Sequence, residues 1–181
     1  MKVKVIIGGV LLAGVLAGVP YLLPSDFKIE KSTFIQAKPA QVFASLNNLS
    51  AWEKWSAWNQ HADPTLSNFY QGPVSGVGSA FSWKSGKSGE GRIVITANEP
   101  DKKIEFQFYP EGKLQAHGQF ILEPVEKGTR LTWISTGILP DYTDRVKGVF
   151  LKRKLDAEFE KGLSGLKELL EPQAKKISLR K

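Results

Sequence analysis

Hydrophobic and polar positions follow three different rhythms along this chain. From Val5 to Leu23 there is no charged residue, and only Gly8, Gly9, Gly14, Gly18, Pro20 and Tyr21 interrupt the aliphatic side chains. As a helix rising about 1.5 Å per residue, that run is roughly 28 Å long, close to the ~30 Å hydrocarbon core of a bilayer. The second rhythm has a period of two. Phe27 to Gln36 partly alternates β-branched and aromatic residues with polar ones and predicts a first strand. Lys38-Pro39 ends it, and proline suits the first turn of a helix through Ala40, Val42, Phe43 and Leu46 that stops near Asn47-Asn48. Ser50-Ala-Trp-Glu53 matches a capping box and predicts a second short helix carrying Trp52, Trp55 and Trp58. Period-two segments then recur at Leu66–Gln71, Ser79–Ser85, Arg92–Asn98, Lys103–Tyr109, Leu114–Glu123 and Arg130–Thr136. They are separated by turn residues such as Gly72-Pro73, Gly86-Lys-Ser-Gly89, Glu99-Pro-Asp101 and Pro110-Glu-Gly112. A spacing of about a dozen residues leaves no room for crossover connections and implies antiparallel neighbours. The third rhythm is helical. Thr143 to Leu170 contains no proline and carries a stripe at Leu155, Phe159, Leu163, Leu166 and Leu170, extended upstream by Val146, Val149 and Phe150.

This order predicts an α+β domain over residues 25–171, in which an antiparallel sheet of about seven strands curves around a long C-terminal helix, with two short helices after the first strand. Residues 1–24 form an N-terminal transmembrane segment and residues 172–181 a basic tail. Alternation directs Phe81, Trp83, Ile104, Phe106, Phe108, Ala116, Gly118, Phe120, Leu122, Leu131, Trp133 and Ser135 toward the helix. Lys84, Lys103, Glu105, Gln107, Gln115, His117, Gln119, Arg130 and Thr132 take the opposite face.

Charge then narrows the class. The chain has 181 residues and a formal charge of +7. Lys2 and Lys4 at one end and Lys175, Lys176, Arg180 and Lys181 at the other account for six of those charges, leaving +1 for residues 25–171. A nearly neutral domain has no strong field to hold a phosphate backbone, so nucleic acid is not an expected partner. The basic run Arg145, Lys147, Lys152, Arg153 and Lys154 reads as the solvated face of the long helix. Lys2 and Lys4 precede the apolar run and no cationic excess follows it. The expectation is therefore a single-pass anchor in the cytoplasmic membrane, with the domain on the outer, periplasmic side. A cleaved signal peptide is the rival and exports the domain equally. Gly14 and Gly18 form a small-residue pair of the kind that brings membrane helices together, but glycine is common in such segments and no oligomer is assigned. There is no cysteine, which excludes disulfides, thiolate metal sites, a cysteine nucleophile and a lipidated cysteine.

Several motifs resemble those of one superfamily. They are Ala37-Lys-Pro-Ala-Gln-Val-Phe43 with Leu46, the segment Trp52-Glu-Lys-Trp55-Ser-Ala-Trp58, and Tyr70-Gln-Gly-Pro-Val-Ser-Gly-Val-Gly78 running into Phe81-Ser-Trp83. Gly89-Glu-Gly91, Phe120-Ile-Leu-Glu-Pro124, Gly128-Thr-Arg-Leu-Thr-Trp133 and Phe159-Glu-Lys-Gly-Leu163 follow in order. Over residues 27–171 the chain resembles the START-related, polyketide-cyclase-like (SRPBCC) superfamily, in a membrane-anchored bacterial branch. The resemblance implies a helix-grip fold with an apolar cavity between sheet and helix. Its members include lipid carriers, binders of small hydrophobic molecules and ring cyclases.

If that cavity forms, its expected walls are Phe81, Trp83, Phe106, Phe108, Phe120 and Trp133 from the sheet and Leu155, Phe159 and Leu163 from the helix. Such walls suit a small hydrophobic or lipid-like ligand. The same nine side chains can instead fill a solid core. Gly162 and Gly165 thin the helix, opening a portal or permitting close packing, and Trp52 and Trp55 plug one end of the core. Acid–base chemistry has few candidates. His117 falls on the outward parity, His61 lies in a polar turn, Glu90 sits in a hairpin between two glycines, and Ser135 and Thr96 have no base nearby in sequence. No phosphate loop, dinucleotide fingerprint, zinc motif or calcium loop occurs, so no catalytic residue, metal or cofactor is assigned. The leading expectation is a membrane-tethered carrier or sensor of a small hydrophobic molecule. A cyclase or dehydratase acting on an aromatic polyketide-like substrate would need His117 or Glu90 inside the cavity. An envelope protein-interaction module would show a filled core and exposed tryptophans.

Overall fold

The computed structural model describes residues 22–87, 89–110 and 116–171. The apolar run to residue 21 and the basic tail from residue 172 lie outside them, and with them the expected anchor. No helix among the described residues is long and apolar enough to cross a membrane. Chain order is β1 (Asp26–Ile35), α1 (Pro39–Asn47), a 3-10 turn (Leu49–Lys54), β2 (Ser67–Gln71), β3 (Ala80–Ser85), β4 (Gly89–Glu99), β5 (Lys103–Pro110), β6 (Ala116–Val125), β7 (Gly128–Ile138) and α2 (Tyr142–Leu170). The strands make one antiparallel sheet in the order β1-β7-β6-β5-β4-β3-β2. The α+β helix-grip reading therefore holds for the domain.

Local chemistry sets the short helices. Pro39 occupies the first turn of α1, where no backbone donor is missed, and the Lys38 N–H donates to Gln41 Oε1 at 3.1 Å. The expected capping box at Ser50 does not form. Asn48 caps instead, its carboxamide oxygen accepting from the Ser50 N–H (3.0 Å) and hydroxyl (2.8 Å), while Glu53 accepts from the Asn68 side chain. The resulting 3-10 turn buries Trp52, whose indole donates to the Leu46 carbonyl at 2.8 Å. Trp52 and Trp55 are both buried, packed against Phe120 of β6.

Helix α2 crosses the sheet with Phe159, Gly162, Leu163 and Leu166 inward. Lys31 on β1 pairs with Asp156 at 2.9 Å, Lys167 Nζ donates to the Phe34 carbonyl at 2.9 Å, and the Gln36 N–H donates to Glu171 Oε1 at 2.9 Å. These bonds hold the helix along the edge strand.

Two further expectations are corrected. Val146, Val149 and Phe150 do not extend the core stripe. The inward position in that part of α2 is Gly148, packed on Leu139, which turns the three apolar side chains to solvent. Glu90 is not in a hairpin turn, because β4 begins at Gly89. It is exposed and faces Lys84 at 4.0 Å.

Candidate functional site

Three aromatic rings on the inner face lie directly opposite glycines on the neighbouring strand. Phe27 pairs with Gly137, Trp83 with Gly91 and Phe106 with Gly118. A Cβ at any of these glycines would collide with the ring across from it, so each ring folds flat over bare backbone instead of standing into the interior. A cavity of about 410 Å³ lies between this face and α2. That is within the ~300–1,000 Å³ typical of small-ligand sites.

Strands β3, β4 and β5 supply Phe81, Trp83, Ile93, Phe106 and Phe108 to the wall, and β7 supplies Trp133 and Ser135. Leu151, Leu155 and Phe159 come from α2, with Trp52 and Trp58 at one side. Two residues expected here lie elsewhere. Phe120 is fully buried behind Trp52, Phe106 and Trp133, and Leu163 packs in the core on the far stretch of α2. His117 is exposed on the outer face and is absent from the cavity wall, as is Glu90.

Apart from Ser135, the polar side chains gather at one rim: Asn59, Asp63, Lys87, Lys154 and Glu158. Glu158 was not anticipated, because it sits among the charged residues Asp156 and Glu160 in sequence. Its spacing from Leu151, Leu155 and Phe159 is the signal that places it on the cavity side. Loss of solvent pushes its carboxyl above the usual glutamate range, opposed by Lys154 (3.8 Å), the Trp58 indole and Lys161.

The family described as polyketide cyclase/dehydrase and lipid transport matches residues 26–171. The chain belongs to this family. Solved structures share its SRPBCC fold. Protein CV1439 from Chromobacterium violaceum is 17% identical, with 80% of this chain and 97% of that one aligned at a TM-score of 0.60. The Aha1 dimer from Colwellia psychrerythraea is 20% identical over 80% and 96%, at 0.58. The di-domain ARO/CYC StfQ of the steffimycin biosynthetic pathway is 19% identical over 80% and 50%, at 0.59. At these identities the likeness is one of fold. No curated protein matches by sequence.

In this member of the polyketide cyclase/dehydrase and lipid transport family, the rim is braced by Asp63. Its carboxylate accepts from the Ser85 hydroxyl, the Thr65 hydroxyl (2.6 Å) and the Thr65 N–H (3.0 Å), tying the segment after the tryptophans to the end of β3. Those hydrogen bonds, Ser85's first, hold the carboxyl below the usual aspartate range. A depressed folded pKa adds stability above the unfolded value of about 3.9, and that stability is lost as pH falls through the folded value. Asp63→Asn should therefore lower the urea midpoint at pH 7, with the gap from wild type narrowing below about pH 4. A gap of constant size would show that the ionised carboxylate is not what braces the rim.

Proposed function

We propose that this protein is a membrane-tethered carrier or sensor for a small hydrophobic or lipid-like molecule, held in the cavity under α2 on the periplasmic side of the cytoplasmic membrane. The cavity is the observation that carries the reading: about 410 Å³ of space lies between sheet and helix, walled mainly by aromatic and aliphatic side chains. Apolar walls with charge confined to one rim suit a ligand with a long or flat apolar body and one polar end. The uncharged run Val5–Leu23, preceded by Lys2 and Lys4, supports the tether and its orientation. An interaction module is disfavoured, because Trp52 and Trp55 are buried and the interior is not filled.

A cyclase-type activity is the second reading, and Glu158 is the observation that favours it. Loss of solvent at the cavity rim raises this carboxyl's pKa and favours its protonated form relative to an exposed glutamate. The family description and the ARO/CYC neighbour point the same way. It stands second because neither His117 nor Glu90 faces the cavity.

Two substitutions test the cavity by filling it. Gly118→Ala lifts the free end of the Phe106 ring into the space, and Leu155→Trp blocks the half-buried helix side. Each should weaken binding of N-phenyl-1-naphthylamine by about tenfold or more, equivalent to about 1.4 kcal/mol, with membrane-lipid extract competing for the wild-type site. Unchanged affinity in both variants, with wild-type circular dichroism, would rule this cavity out as the binding site.

A further inference from the structure

We propose that the first half of α2 docks on an anionic bilayer, seating Tyr142, Val146, Val149 and Phe150 among the lipid headgroups. This rests on the tethered reading above and names the surface that meets lipid. Phe150 is 74% exposed and Val149 56%, with Tyr142 and Val146 also exposed. Their spacing of four, three and one residues gathers them on one side of the helix, away from the inward line of Gly148, Leu155 and Phe159. Basic residues flank this stripe on both sides. Arg145 and Lys152, seven apart, border one margin, and Lys147 and Lys154, also seven apart, border the other, with Arg153 within the stripe. An apolar stripe bordered by Lys and Arg is the pattern of a helix lying in a membrane interface.

Lys154 pairs with Glu158 at 3.8 Å, but the helix itself does not place the other cations. A helix N-terminus favours acids, yet Asp144 is the one acidic residue of the first turn and the next eleven residues carry five cations. Lys147, Lys152 and Arg153 make no ion pair among the described residues. Position supplies the independent argument. The Leu139 N–H donates to the Ser25 carbonyl at 2.7 Å, and Asp26 pairs with Ile138, so the segment that follows the Val5–Leu23 run enters the domain beside the start of α2. The cavity rim is at the same end, where Lys87 follows β3 and Lys154 and Glu158 follow the exposed stripe by about one turn or two. A bilayer seated on this surface would lie against the mouth through which a lipid-like ligand passes.

The chain has no native cysteine, so single labels are clean. Val149→Cys and, at the opposite end of the sheet, Glu126→Cys are each labelled with an environment-sensitive nitrobenzoxadiazole dye in the full chain. The protein is then incorporated into vesicles of phosphatidylcholine with phosphatidylglycerol that carry a headgroup-level nitroxide quencher. Quenching at position 149 should exceed that at 126 by about threefold or more. It should fall to the level of 126 when Lys152→Glu and Arg153→Glu are added, or in phosphatidylcholine alone. A chain that co-floats with vesicles while position 149 stays unquenched overturns the docking surface and leaves the tether standing. A blue-shifted but unquenched label at 149 overturns it in favour of a protein contact. A chain that does not co-float overturns both.

Discussion

Trp133→Ala should cost about 3–5 kcal/mol of folding stability, read from urea or thermal unfolding of the purified chain. Trp133 is 2% exposed and joins three parts of the fold. Its ring stacks on Phe159 of α2 with centroids 3.8 Å apart, meets Trp55 and Trp58 edge-on at 6.0 and 6.2 Å, and touches Phe120 of β6 at 5.0 Å. Trp133 already lines the cavity, so removing it enlarges that space and forfeits the stack on Phe159 and the edge contacts with Trp55 and Trp58. Against a typical domain stability of about 5–15 kcal/mol, that loss is a large share. Trp133→Phe separates packing from polarity. The Trp133 indole N–H is wholly buried with no hydrogen-bond partner among the described residues, a group whose desolvation costs about 1–3 kcal/mol. Phenylalanine keeps the stack on Phe159, gives up some volume and removes that unpaired donor. Its net effect should lie within about 1 kcal/mol of wild type. Equal losses for the two variants would mean that the ring stack is not what Trp133 contributes.

The sheet was legible because period-two alternation is a local property. The rings of Phe81, Trp83, Phe106, Phe108 and Trp133 fall on the face that alternation assigns them. Whether that face bounds a cavity or a solid core was not legible, because the deciding feature is cross-strand register. Gly118 reads as an ordinary strand glycine, and Gly91 and Gly137 as residues just outside their strands, until pairing sets each against a ring. Phe120 shows the converse: its parity is right, but the neighbouring aromatics enclose it.

In α2 the failure has a different cause. Apolar residues occupy two sides of its first half, and a hydrophobic pattern alone cannot tell which side faces inward. The inward side is fixed by Gly148, which has no side chain to register in such a pattern, while Val146, Val149 and Phe150 dominate it and point to solvent. Asn48 displaced the expected cap at Ser50 because α1 ends one residue before it, leaving its side chain beside the first N–H groups of the next turn. Glu158 shows that one charged residue among others can still face a cavity wall, since sidedness depends on helical phase and not on neighbours in sequence.

Gly165 and Gly162 make the second large prediction, because their surroundings differ in what can yield. The helix runs so close to the 3-10 turn that a Cβ at Gly165 would fall on the Trp55 carbonyl, with the carbonyl carbon and Cα of Trp55 next nearest. All three are backbone atoms of a residue whose own N–H is bonded to the Trp52 carbonyl at 3.2 Å, so the contact cannot be relieved by a rotamer change. A Cβ at Gly162 would instead approach ring atoms of Trp133 at 3.2 Å and Trp55 at 3.5 Å, which can shift by a few tenths of an ångström. Replacing glycine by alanine inside a helix gains about 1 kcal/mol of intrinsic propensity. At Gly162 that gain should offset the tightening, leaving Gly162→Ala near neutral. At Gly165 overpacking of about 1–3 kcal/mol should exceed it, and Gly165→Val, with two further methyl groups against the same backbone, should lose about 3 kcal/mol or more. The order of urea midpoints should be Gly162→Ala above Gly165→Ala above Gly165→Val. If Gly165→Ala were as stable as Gly162→Ala, α2 would not rest on the Trp55 backbone, and the close packing that sets the helix height above the cavity would have to come from elsewhere.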